Sequence, residues 1–346
     1  MDTELFDYHL PQELIADTPV ERGQSRMMVI NRETRTVTHS FFSEIVKYID
    51  CSTTMVFNST KVVPARIFGK RLTGGVVEFL VLKMIKKGVW QVMVKCSKRL
   101  EKGEKIVFLN GLEAEILSRN GQFADVVFSI DDSLIFNYLE ECGDIPLPPY
   151  ILKRRSEKKS RIEDKEKYQT VYAKVPGSVA APTAGLHFNN EILNQINNIT
   201  QGHVENVVLD VGLGTFLPVK TGKVEEHIMH KEHFIISEQT AKNLNSDKKS
   251  GRKIFAVGTT TVRALESAAD ENGTINSCDK ETGIFIYPGY KFRFVDKVLT
   301  NFHLPQSTLI MMISAFADRD FILYAYNEAV KEKYRFYSYG DCMLIL

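Results

Sequence analysis

Cysteine is scarce in this 346-residue chain: five residues (Cys51, Cys96, Cys142, Cys278 and Cys342), widely scattered and never spaced as CxxC. That excludes a disulfide scaffold and a cysteine-based zinc ribbon, and fits thiols kept in a reducing compartment. Long apolar runs are missing too. The longest, Thr308 to Ala317, is about half of the roughly 20 residues a membrane span needs, so no membrane association is expected. The first residues carry Asp2, Glu4 and Asp7, so neither a signal nor a transit peptide is expected, and a cytoplasmic location is expected. Internal repeats and low-complexity tracts are absent. Neither charge sign dominates, with 44 Lys+Arg against 43 Asp+Glu. With 44% apolar and 25% charged residues, the composition is that of an ordinary soluble protein, and the length suggests two domains.

What is present is unevenly distributed. Between Arg66 and Lys105 stand eleven Lys/Arg against three Asp/Glu. The same region holds short runs rich in Val, Ile, Phe and Leu: Ile67–Leu72, Val76–Met84, Val89–Lys95, Lys105–Leu109, Leu112–Leu117 and Phe123–Phe128. Gly-containing turns separate most of them, at Gly74-Gly75, Gly88, Asn110-Gly111 and Asn120-Gly121. Glycine supplies the positive φ that tight hairpins require. Six strands joined by hairpins are expected to close into a small barrel, which removes exposed edges.

Around this segment the pattern changes. Phe42–Ile49 reads as helix and Thr54–Phe57 as a short strand. The prolines of Ile145–Ile151 predict an extended chain and no helix there. Lys153–Lys167 follows, with eight basic and four acidic residues, read as a solvated loop or a phosphate contact. Beyond Ala180, strands at Val204–Val211, His233–Ile236, Ile254–Val257 and Gly283–Ile286 alternate with helices at Asn189–Asn197, Glu238–Asn245, Val262–Asp270 and Asp320–Tyr334. The expected architecture is a mixed α/β layer domain, residues 1–64 and 150–346, with a six-stranded β-barrel, residues 65–149, inserted into it.

Several segments bear functional groups. In Val257-Gly258-Thr259-Thr260-Thr261 an apolar strand turns at glycine into a helix, whose first N–H groups and three hydroxyls can face an anion, with Arg263 available to clamp it. A threonine N-cap accounts for one of the three without any ligand. Leu209-Asp210-Val211-Gly212-Leu213-Gly214 imitates a nucleotide-binding loop. Phe216 and Pro218 stand where the following helix would begin, so the doubly wound fold is rejected and the loop is kept as a place of close backbone approach. Ala180–Phe188 is rich in small residues and ends beside His187, which is either a buried, hydrogen-bonded ring or a proton carrier. His227, His230 and His233 are spaced by three, but no carboxylate or cysteine cluster accompanies them, and no metal site is expected. His303 and Asp341 are polar residues among aromatics that could hold a cation.

Taken together the blocks resemble the S-adenosylmethionine:tRNA ribosyltransferase-isomerases of the queuosine pathway from end to end. The resemblance runs through Phe6–Pro11, Val56–Arg66, Ile145–Tyr150, Tyr168–Tyr172, Ala181–Phe188, Gly258–Arg263, Thr300–Pro305 and Ser338–Asp341. One departure is Asp210, where that family usually has His. The resemblance implies transfer and isomerisation of the ribosyl part of S-adenosylmethionine onto 7-aminomethyl-7-deazaguanine at the tRNA wobble position, forming epoxyqueuosine and releasing adenine and methionine. S-adenosylmethionine is then a consumed cosubstrate and no further cofactor is implied; the partners are that tRNA and S-adenosylmethionine, with no stable protein partner and a monomer as the default.

Such chemistry needs a base for the carbon beside the sulfonium and an acid for departing adenine. His187 is the first candidate for proton transfer, with His303 or Asp341 second. Asn58, Lys61, Arg66, Thr183, Gly185, Gly212, Gly214, Thr259, Thr260, Thr261, Arg263 and Asn301 are the candidate substrate contacts, and Arg263 with Thr259–Thr261 is assigned the methionine carboxylate. For the anionic RNA the candidates are Lys70, Arg71, Lys95, Lys98, Arg99 and Lys102 on the barrel, then Lys153, Arg154 and Arg155. A methyltransferase or a non-catalytic RNA-binding barrel are the competing readings.

Overall fold

The structure, a computed structural model, describes residues 1–154, 161–212, 219 and 221–346. The chain divides into two compact units: Met1–Lys61 with Pro148–Glu157 and Lys167–Leu346, and Val62–Leu147 with Lys158–Glu166.

Seventeen strands are named here in chain order. In the larger unit and at its edge they begin with β1 (Arg26–Asn31), β2 (Thr36–Phe41), β3 (Thr53–Asn58) and β4 (Thr60–Val62). The second unit supplies β5 (Arg66–Arg71), β6 (Val76–Lys86), β7 (Val89–Cys96), β8 (Lys105–Phe108), β9 (Glu113–Asn120) and β10 (Phe123–Phe128). The larger unit resumes with β11 (Val175–Ser178), β12 (Val204–Leu209), β13 (Glu232–Ile236), β14 (Lys253–Val257), β15 (Cys278–Thr282), β16 (Lys297–Asn301) and β17 (Cys342–Ile345).

The six strands of the second unit form a closed barrel in the order β10-β7-β6-β5-β8-β9, every pair antiparallel. Alternate residues point inward, among them Ile67, Val77, Phe79, Val92, Ile106 and Val126, all buried. Gly69 faces the same interior, where an added Cβ would stand 2.7 Å from Ile106 and 2.8 Å from Phe108. Helix α1 (Asp132–Cys142) packs against β5, and Asp132 ties it down by accepting from Trp90 Nε1 at 2.8 Å and Gly88 N at 2.7 Å.

The larger unit is built on a nine-stranded sheet in the order β15-β13-β12-β3-β14-β16-β17-β1-β2. Its centre is parallel: β12, β3, β14 and β16 run the same way. β3 is buried at every position because both faces are covered, which is why it lacks alternation in sequence. On one face Met28, Ile30, Val56, Leu209 and Ala256 join a large core with helices α6 (Thr259–Ala268), α7 (Thr308–Ala317) and α8 (Arg319–Lys331). On the other, Met27, Val29, Met55, Phe57, Phe255 and Leu344 pack with Phe42, Phe188 and helix α4 (Asn190–Ile199). Helices α2 (Pro149–Arg154), α3 (Arg161–Lys167) and α5 (Glu238–Lys249) complete the α-helices among the described residues, and the helix expected at Phe42–Ile49 is a 3-10 helix over Phe42–Tyr48. No helix among the described residues is long and apolar enough to cross a membrane.

Three sequence expectations require correction. The loop expected over Lys153–Lys167 is helical at its described ends, with Lys153 and Arg154 in α2 and Arg161–Lys167 forming α3. Gly283–Ile286 is not a strand; the edge strand is the preceding, more polar Cys278–Thr282, paired with β13. The Ile145–Ile151 segment is extended only to Pro148, because α2 begins at Pro149, a helix position whose missing N–H would have no partner in any case.

Candidate active site

In open sheets with parallel strands, ligands bind beyond the carboxyl ends of those strands. Here the ends of β12, β14 and β16 deliver Val211, Gly258-Thr259-Thr260 and Thr300-Asn301-Phe302-His303 to the wall of one cavity. Ala181–Ala184, Tyr150 and Tyr337-Ser338 close the remaining sides. The chain reaches the start of α6 through Gly258, whose φ of 90° lies in the left-handed region that a side chain would strain. Thr259 and Thr260 then line the cavity at the N-terminus of α6, where unpaired N–H groups favour negative charge. No charged side chain stands among the described residues lining the cavity.

Asn301 is the best-anchored of the lining residues. It is 3% exposed, and its Nδ2 donates to the carbonyls of Tyr337 at 2.9 Å and Ser338 at 3.3 Å. Its Oδ1 is therefore the acceptor for His187 Nε2 at 3.2 Å, which fixes the proton on that nitrogen and leaves Nδ1 to accept from Ser25 Oγ at 2.8 Å. Burial pushes His187 down to about 4, against the opposing Asn301 hydrogen bond. His187 thus sits behind Asn301 with both nitrogens engaged and its ring 5.3 Å from that of Phe42, and it does not line the cavity.

His303 does line it. Its Nε2 lies 2.8 Å from Thr300 Oγ1, and its Nδ1 has no hydrogen-bond partner among the described residues. Burial lowers its pKa to about 3, so the ring is neutral. Asp341 is placed elsewhere: its two oxygens accept from Arg26 N at 2.9 Å and Arg335 N at 2.8 Å, bracing the segment that carries Tyr337. Burial raises the Asp341 pKa, while those two backbone hydrogen bonds and the nearby Arg335 and Arg26 oppose the rise.

The other candidates separate into three groups. Thr183, Thr259, Thr260 and Asn301 meet at the cavity with His303. Asn58, Thr261, Arg263, Gly185 and Gly212 lie within the larger unit but serve its packing. Asn58 bonds to both backbone groups of Leu209 and to Thr260 Oγ1, and Thr261 Oγ1 donates to Val257 O at 2.6 Å. Arg263 Nη1 donates to Glu232, whose other oxygen accepts from Gly212 N at 2.9 Å; the buried Nε and Nη2 have no hydrogen-bond partner among the described residues, and the side chain does not line the cavity. At Gly185 an added Cβ would collide with Tyr172 Oη. Lys61 is half-buried on β4 and does not line the cavity.

The third group falls in the barrel or beyond description. Arg66 pairs with Glu78 through Nε at 2.7 Å. Arg71 Nη2 donates to Glu104 at 2.9 Å and its fork also caps the carbonyls of Lys98 and Arg99, so it serves the barrel itself. Lys70, Lys95, Lys98, Arg99 and Lys102 are exposed on that unit. Lys153 and Arg154 belong to α2, without described side chains, and Gly214 and Arg155 lie outside the described residues. Asp210 receives Thr60 Oγ1 at 2.9 Å and faces His233 Nδ1 at 3.3 Å; burial raises its pKa.

Sequence reading passed over Tyr150, Ser307 and Tyr337 as site residues. Ser307 carries a recognisable signal, a serine before an apolar run, and it caps α7. Tyr337 has φ 72°, a conformation that an aromatic residue rarely adopts and nothing in its neighbours announces.

Over residues 3–345 the sequence matches the queuosine biosynthesis protein family. It is 46% identical over 349 residues, all of both chains, to the S-adenosylmethionine:tRNA ribosyltransferase-isomerase of Clostridioides difficile (strain 630). Identity to that of Acetivibrio thermocellus is 49% over 344 residues, 98% of each. The crystal structure of S-adenosylmethionine tRNA ribosyltransferase from Thermotoga maritima matches with a TM-score of 0.53 and 34% identity, covering 99% of this chain and 100% of that one. Likeness of this extent, along a fold that brings five of the eight matched blocks to one cavity, places the chain in the queuosine biosynthesis protein family, among the S-adenosylmethionine:tRNA ribosyltransferase-isomerases.

Proposed function

We propose that this enzyme transfers the ribosyl group of S-adenosylmethionine to the aminomethyl nitrogen of 7-aminomethyl-7-deazaguanine at the wobble position of a cytoplasmic tRNA. The sugar rearranges to the epoxycyclopentane of epoxyqueuosine, and adenine and methionine leave. The observation that carries this reading is the cavity's lining: hydroxyls and N–H groups at the start of α6, aromatic rings at Tyr150 and Tyr337, a neutral imidazole, and no fixed charge among the described residues. A sulfonium suits aromatic faces, and the methionine carboxylate suits a helix N-terminus with two threonine hydroxyls. The carboxylate is therefore assigned to Thr259 and Thr260 without Arg263.

The positive sulfur acidifies the ribose carbon bonded to it. Of the three proton-transfer candidates, His303 is the one that lines the cavity and holds a ring nitrogen without a partner among the described residues. Its neutral ring accepts the proton from that carbon. Adenine leaves the anomeric carbon with the bonding electron pair and takes up a proton; the amine bonds to the ribosyl unit and gives up a proton; the carbon beside sulfur bonds to the former anomeric carbon and closes the five-carbon ring; a sugar oxygen then displaces sulfur from that carbon to close the epoxide, the C–S electron pair returning to sulfur to give neutral methionine thioether. The exposed Lys70, Lys95, Lys98, Arg99 and Lys102 hold RNA phosphate.

The test is direct. Incubation with S-adenosylmethionine and tRNA bearing the aminomethyl base, followed by digestion and mass measurement, should give epoxyqueuosine with free adenine and methionine. Release of S-adenosylhomocysteine with a one-carbon mass gain on the tRNA would make the enzyme a methyltransferase and overturn the reading.

A further inference from the structure

A second, more open groove adjoins the cavity and shares Leu304 and Tyr337 with it. Asp7, His9 and Pro305 contribute to its other walls. Two features mark it as more than a surface depression. The first is its shared wall. Tyr337 sits at φ 72° with its N–H donating to Phe302 O at 3.1 Å, its carbonyl accepting from Asn301 and from Gly340 N at 2.9 Å, and its ring 4.9 Å from that of Tyr150. Strain of this kind persists where surrounding contacts impose it, and it concentrates at ligand sites. The second is the chemistry at its rim. Asp7 Oδ1 is anchored by Tyr8 N–H at 3.0 Å, while Oδ2 and the His9 ring have no hydrogen-bond partner among the described residues.

We propose that this groove is the subsite of the acceptor nucleobase, with the Asp7 carboxylate accepting from the amidine edge of a guanine-like ring and Tyr337 as the wall between base and sulfonium. This rests on the two-substrate reaction above. Two molecules that exchange a group must bring their reacting atoms within bonding distance, so the acceptor's pocket must abut the donor's. A ring N–H and an exocyclic amine on one edge present two parallel donors, and a carboxylate with one held and one open oxygen is their complement. A free anion is excluded as occupant by the same carboxylate.

The experiment measures binding of the full-length enzyme to anticodon stem-loops whose wobble base is 7-aminomethyl-7-deazaguanine or the same ring without its exocyclic amine. The wild-type enzyme should prefer the complete base about tenfold. Asp7→Asn and Asp7→Ala should reduce that preference to within twofold, leave the half-saturating S-adenosylmethionine concentration within twofold of wild type, and unfold at the wild-type temperature. A preference retained by both variants overturns the proposal, as does a parallel loss of S-adenosylmethionine affinity. Because binding is read without turnover, failure of this subsite is separable from failure of the transfer reaction: a wild-type enzyme that makes no epoxyqueuosine refutes the reaction, whereas one that does, with discrimination unmoved by Asp7, refutes only the subsite.

Discussion

Asn301 Nδ2 donates to the carbonyl of Tyr337 at 2.9 Å, so a side chain at the end of a central strand holds an aromatic residue that walls both the cavity and its neighbouring groove. Replacing Asn301 with Ala leaves the Tyr337 carbonyl one bond short and the Ser338 carbonyl and the His187 Nε2–H without their partner. Losing hydrogen bonds to buried groups costs about 1–3 kcal/mol. If Tyr337 must stay fixed for chemistry, kcat in steady-state assays should fall roughly ten- to a hundredfold, with a smaller change in the half-saturating S-adenosylmethionine concentration. His187→Gln, which keeps an N–H donor, should recover part of what His187→Ala loses.

The two buried histidines make stability depend on pH in a defined direction. His187 is pushed down to about 4 and His303 to about 3, both below the ordinary value, so the unfolded chain binds protons first. Their contribution is present in full above the unfolded value of about 6.5 and is lost progressively as pH falls towards the folded values. Urea midpoints should therefore decline between pH 6.5 and 5, a window in which exposed carboxylates change little. His303→Gln should flatten that slope, and an unchanged slope would show that the ring is hydrated in solution.

Breaking the Arg263–Glu232 pair should be costly. Both side chains are almost wholly buried, and Glu232 also serves the Gly212 N–H. Glu232→Ala should lower stability by about 3–5 kcal/mol, since it strands a buried guanidinium. The double change Glu232→Leu with Arg263→Met should recover much of that loss, as measured by a double-mutant cycle in urea.

Salt dependence tests the barrel. Converting Lys95, Lys98, Arg99 and Lys102 singly to Ala should weaken tRNA binding and lower the slope of log affinity against log salt by about one for each phosphate contact removed. Arg71→Ala should act through stability instead, because its fork is occupied by Glu104 and two carbonyls.

The barrel was legible because hairpins put their signals next to each other: alternating residues and turn glycines such as Gly74, Gly88 and Gly121, all at positive φ, are local facts. Strands β1, β16 and β17 were not read. They are short and buried on both faces, so they carry no alternation, and β17 has four residues. The Thr308–Ala317 run was seen as apolar, yet its being a core helix depended on the Ser307 cap. Site residues follow the same rule. The hydroxyls of Thr259 and Thr260 follow from the strand–glycine–helix pattern. That Arg263 would pair with Glu232, 31 residues upstream, is decided by sheet order. Likewise His187 is closed off by Ser25, 162 residues away. Spacing along a chain does not encode such partners.

The placement of β17 has a kinetic consequence. It lies between β16 and β1, and Val29 is registered against Leu344, so the β1–β2 hairpin joins the rest of the sheet only through residues 342–345. Loop closure over so long a separation slows folding. A nascent chain must wait for that segment with the edges of β1 and β16 bare, which makes this stage the natural point for chaperone engagement or aggregation during synthesis.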